Sequence, residues 1–157
     1  MPKNTKFMKN IQRGQRQRKT FKGRISYVRN LDQEIWKGLY GAIAKESARV
    51  SESQLKAAEF AIKRVLKKNG KIWIRINPNV PVTKKPTEVR MGKGKGSIKY
   101  HMARVSSGTI LFELYTSSEI LAKKAYKVAA SKLPLQTKFI VSSPLNHTHA
   151  HPNGESE

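Results

Sequence analysis

The chain has 157 residues, 38% of them hydrophobic, no cysteine, and a formal net charge of +22 at pH 7. That length suits one domain with its own core rather than two, and the missing thiols exclude disulfides, thiolate metal sites and cysteine nucleophiles. No apolar run reaches the ~18 residues of a membrane span, and so much self-repulsion calls for a polyanionic partner, most commonly the phosphate backbone of nucleic acid.

Residues 1–30 read as a basic arm. Lys3, Lys6, Lys9, Arg13, Arg16, Arg18, Lys19, Lys22 and Arg24 recur every few positions, with Phe7, Ile11, Phe21 and Tyr27 between them and no periodic apolar stripe. Residues 1–31 hold ten cations and no acid, so more than half of the net charge belongs to the rest of the chain. The arm is predicted to order on RNA, cations on phosphate and aromatics against bases or sugars, rather than to stay solvated. Its start has neither the apolar middle of a secretory signal nor the Ser-rich amphipathic helix of an import peptide, and is read as mature protein. A globular domain is expected over residues 31–143 and a mobile polar tail over 144–157.

Residues 35–50, broken by Gly38 and Gly41, predict one or two short strands, with Trp36 and Tyr40 as packing residues. A helix follows. Ser51 and Gln54 form a capping box, and Leu55, Ala58, Ile62, Val65 and Leu66 form one apolar stripe. Lys67 and Lys68 are placed in the last turn, opposing the dipole, with Gly70 as a left-handed cap. Lys56, Lys63, Arg64 and Lys67 lie off the stripe, as a solvated face or as phosphate contacts. "KIWIRI" reads as a strand with Ile72, Ile74 and Ile76 on one face and Trp73 and Arg75 on the other; Lys71 and Arg75 join the expected RNA contacts. Pro78, Pro81 and Pro86 limit the next stretch to short extended pieces, and its Lys84 and Lys85 are further expected RNA contacts. "IKYHMARV" and "TILFELY" are strands separated by a Ser-Ser-Gly turn, with Ile110, Phe112 and Leu114 sharing a face. A second helix opens at Ser117 or Ser118, carries Ile120, Leu121, Ala125, Val128 and Ala129 on its stripe, and stops before Pro134; "QTKFIV" is a last strand. This order predicts an α+β domain, two helices with a mixed or antiparallel sheet.

The candidate site is the loop "RMGKGKG": Arg90, Met91, Gly92, Lys93, Gly94, Lys95 and Gly96. Its glycines are spaced by two, no Gly-Lys-Ser/Thr occurs, and it exits into a strand, so neither a Walker loop nor a dinucleotide fingerprint fits. A side-chain-poor hairpin or Ω-like loop remains, letting backbone N–H groups and three cations approach phosphate. Nothing assembles into a catalytic group. Glu113 is expected to face solvent or pair with a cation, and His101 is read as structural; His147, His149 and His151 form an H-x-H-x-H run capable of weak metal binding in solution, but with no other ligands on the tail no metal site is expected.

"GKIWIRINPNVPVTKKPTEVRMGKGKGSIKYHMARV" resembles the central block of the ribosomal protein L-sixteen family, and "LFEL" and "AYKVAASKLPLQTKFI" are similar to its closing helix and strand. The likeness covers about residues 3–141. It implies a hammerhead-like fold and a structural, non-enzymatic role in the large ribosomal subunit, with no cofactor and no small-molecule substrate. The implied partners are large-subunit rRNA near the peptidyl-transferase region, tRNA and neighbouring large-subunit proteins. Residues Arg90–Gly96 would face tRNA, Arg90 matching an arginine that some bacterial members carry in hydroxylated form, and "TKFMKNIQRGQRQRK" would thread into rRNA. "IWKGLYGAIAKES" replaces the family's Gly-rich "FGxFGLxA", and the tail from Asn146 has no counterpart in short bacterial forms. These departures favour the mitochondrial matrix over bacterial cytoplasm or plastid. The rival readings are a free nucleoid or RNA-chaperone protein and a phosphotransferase using the glycine loop.

Overall fold

The structure, a computed structural model, describes residues 18–25 and 34–142. The expectations for Lys3, Lys6, Lys9, Arg13, Arg16, Tyr27 and the three tail histidines lie outside the described residues. In chain order the elements are β1 (Tyr40–Ala44), β2 (Ala48–Ser51), α1 (Glu52–Leu66), β3 (Gly70–Ile74), β4 (Val80–Lys84), β5 (Ser97–Val105), β6 (Ile110–Thr116), α2 (Glu119–Ala130) and β7 (Thr137–Val141).

The strands form two sheets, ordered β3-β6-β1-β7 and β2-β5-β4, with every pairing antiparallel. β5 and β6, neighbours in sequence across the Ser-Ser-Gly turn, therefore do not pair with each other. The turn is stitched to the end of β1 instead, Ala44 N–H donating to Thr109 O and Gly108 N–H to Ala44 O. Pro81 is accommodated because β4 is an edge strand. β1 and β6 lie in the middle of the larger sheet, and every residue of β1 is buried. Helix α1 packs on α2 and against β2, β3 and β5, while α2 packs against β6 and β7. Leu55, Ile62, Leu66, Val105, Leu111 and Leu114 belong to the shared core.

The start of α1 follows the local chemistry of its sequence. Ser51 is the N-cap, its Oγ accepts from Gln54 N–H, and Gln54 Oε1 accepts from Ser51 N–H. The end of α1 differs from expectation. Leu66 is its last residue and Lys67 the C-cap, at φ 50°, so neither Lys67 nor Lys68 lies inside the last turn. Gly70 begins β3, where a Cβ would stand 2.7 Å from Tyr115 O. Close backbone approach explains that glycine, not handedness.

Two apolar stripes are also redrawn. In α2 the buried residues are Ala122, Ala125 and Ala129, whereas Ile120 is 82% exposed and Val128 is also exposed. At 100° per residue Ile120 sits about 200° from Ala122, on the far side of the helix; three small side chains let α2 lie close to its neighbours. In β6 a register shift opposite Ala42 and Ile43 skips Leu111. Leu111 and Phe112 consequently both join the main core, and Ile110 turns away from Phe112 and Leu114 into a smaller cluster with Ile35, Ile43 and Ile140.

Candidate nucleic-acid interface

Antiparallel β4 and β5 make a hairpin whose long connection carries residues 85–96. Three consecutive residues there, Gly92, Lys93 and Gly94, have φ of 96°, 53° and 81°. A Cβ at either glycine would meet nothing within 4 Å, so these glycines supply backbone conformation rather than close packing. Lys85 Nζ donates to Gly92 O and ties the tip to the strand end. Arg90, Met91, Lys93 and Lys95 are exposed, Met91 to 96%. The seven expected site residues thus form one projecting, cationic, backbone-rich loop.

Arm residues 18–25 dock beside this loop. Lys19 Nζ donates to Lys95 O at 2.6 Å, and Lys95 Nζ returns a bond to Thr20 O at 2.7 Å while standing 4.7 Å from the Phe21 ring centroid. Further along, Arg104 donates to Phe21 O at 3.0 Å and Arg49 to Gly23 O at 2.6 Å. Arg49 and Arg104 are direct cross-strand partners on β2 and β5. Like charges placed opposite one another repel, and here the carbonyls of the arm stabilise both guanidinium groups. These two arginines were missed in the sequence. Outward cations alternating with buried Val50, Ala103 and Val105 were the available signal, but the register that pairs them is long-range.

A groove of about 550 Å³ opens between the sheets, lined by Arg75, Ile76, Asn77, Asn79, Pro81 and Arg104 among others. Arg104 gives it positive charge, and the two asparagines offer both donors and acceptors.

Beside the groove, Glu113 corrects one of its two sequence readings. It is fully buried rather than facing solvent, and it pairs with Arg75. Its carboxylate also accepts from Trp36 N–H at 3.3 Å and Lys37 N–H at 2.8 Å. Trp36, expected to pack inside, is 68% exposed, with the Arg75 guanidinium 4.4 Å from its ring centroid. Tyr40 does pack, stacking on Phe139 at 5.6 Å.

Of the remaining expected contacts, Arg18, Lys19, Lys22, Arg24, Lys84 and Lys85 lie on the arm or at the foot of the loop, and Arg75 beside the groove. Lys63 and Arg64 are exposed on α1, Lys67 at its C-cap and Lys71 on β3. Among the described residues no hydrogen bond joins these four to the arm or loop, and Lys63 is paired with Glu59 at 2.5 Å.

A family model described as "Ribosomal protein L16p/L10e" matches residues 2–140. The large ribosomal subunit protein uL16 of Bartonella henselae is 48% identical over 139 residues, covering 88% of this chain and 94% of that protein. The proteins of the same name from Bartonella quintana and a Chelativorans species are 46% and 45% identical over the same lengths.

Proposed function

The chain belongs to the ribosomal protein L16p/L10e family, and we infer from that membership that it is a structural, non-enzymatic constituent of the large ribosomal subunit. In that setting it binds rRNA and neighbouring ribosomal proteins. The finer reading is that it sits near the peptidyl-transferase region and turns residues Arg90–Gly96 toward the aminoacyl-tRNA. One observation carries that reading: a projecting loop with three positive-φ residues and exposed cations, braced by a docked basic arm. Backbone freed by glycine approaches phosphate closely, and Lys and Arg replace the counterions that packed RNA helices would otherwise need.

The relatives are bacterial, so the mitochondrial location favoured by the tail and by residues 35–50 draws no support from them, and bacterial cytoplasm accords with them. Sedimentation tests the proposal. The protein should co-migrate with large subunits through a sucrose gradient, and Arg90→Ala should slow aminoacyl-tRNA accommodation with little effect on subunit recovery. A protein spread through the light fractions would indicate a free RNA chaperone instead.

A further inference from the structure

We propose that the open face of Trp36 is a stacking site for one unpaired nucleobase of RNA. The proposal rests on the RNA-binding reading above and names a residue and a ligand class for it. An indole left 68% exposed forfeits the burial that stabilises such a side chain in a core. It is nevertheless held in place. The buried Glu113 carboxylate accepts from the backbone N–H groups of Trp36 and Lys37 and pairs with Arg75, and the Arg75 guanidinium stacks over the indole ring. One face of the ring is thereby covered by a cation while the other remains toward solvent.

A rigid aromatic face prepared in this way loses little entropy when a base stacks on it. The surroundings select RNA over an apolar protein surface. The Arg75 guanidinium adjoins the ring, and Arg75 also lines the inter-sheet groove with Asn77, Asn79 and Arg104. A protein partner burying Trp36 would have to desolvate those cations, whereas a nucleotide brings its own phosphate to them. A base in a continuous duplex has no free face, so the site distinguishes unpaired from paired RNA.

The test uses the full-length protein carrying Trp73→Phe, which leaves Trp36 as the single tryptophan. A short oligoadenylate should quench its fluorescence, and an RNA duplex of equal length should not. Trp36→Leu, which keeps apolar bulk without a π-face, should weaken oligoadenylate binding about five- to one hundredfold. Trp36→Tyr should restore most of the affinity, and duplex binding should stay unchanged in both. Absence of quenching together with wild-type affinity in Trp36→Leu would overturn the stacking site alone. Failure of the wild-type protein to bind any RNA would overturn the broader reading as well. A photoreactive phenylalanine at position 36 should cross-link to rRNA in assembled subunits; a cross-link to protein would assign this face to a protein neighbour and refute the proposal.

Discussion

Glu113 is the residue on which the exposed chemistry beside the groove depends. It is buried at the centre of the larger sheet and satisfies one guanidinium and two backbone N–H groups at once. Glu113→Ala strands all three donors, and we expect a loss of about 2–4 kcal/mol in a urea titration, moderated because Arg75 keeps partial access to water. Glu113→Gln retains acceptor capacity and should cost less. The sequence left this residue between solvent and a cationic partner, because alternation assigns it to the face opposite Phe112. It cannot say that β6 would be central, with residues 34–37 covering that second face. Lys67 presents the opposite case, a local cost visible only in the backbone. Its φ of 50° and ψ of −119° belong to glycine territory. Lys67→Gly should therefore stabilise the fold by ~1 kcal/mol in the same titration while removing one exposed cation.

At the scale of elements, legibility follows the range of the interactions. The start of α1 could be read because a capping box spans four residues, and the loop could be read because its glycine spacing already excludes a phosphate-binding helix. The α2 stripe was misplaced by weighting Ile120 and Val128 for hydrophobicity, when the tight helix contact selects alanine. The docking of the arm was illegible, since its acceptors are main-chain carbonyls and its donors, Arg49 and Arg104, meet only through strand pairing. That docking separates two lysines which sequence treats alike. Lys95→Glu removes the bond to Thr20 O and the contact with the Phe21 ring, so trypsin should cut faster after Arg18, Lys19, Lys22 and Arg24. Lys93→Glu should leave those cleavage rates unchanged. Both should weaken RNA binding, and equal cleavage rates in the two variants would show that Lys95 does not brace the arm.

Across the whole molecule, the question is whether the folded body or the arm supplies the electrostatic affinity for RNA. Acids are few, and several are already committed: Glu113 to Arg75, and Glu52, Glu59 and Glu119 to lysines four residues along their own helices. Exposed helical pairs of this kind contribute little and screen their cations only partly. Most of the surplus charge therefore stays available to phosphate. Affinity for duplex RNA should fall linearly with salt on logarithmic axes, by roughly 0.9 per phosphate neutralised if the duplex DNA value carries over. Deleting residues 1–17 removes Lys3, Lys6, Lys9, Arg13 and Arg16 but keeps the docked segment with its anchors on Arg49, Arg104 and Lys95. The slope should then shrink by no more than about 4.5, the limit if all five cations meet phosphate, and should remain clearly negative. Fluorescence anisotropy over a salt series reads this directly. A truncated protein whose binding no longer responds to salt would mean that the loop and the sheet cations never reach the RNA, and that the folded body merely carries the arm.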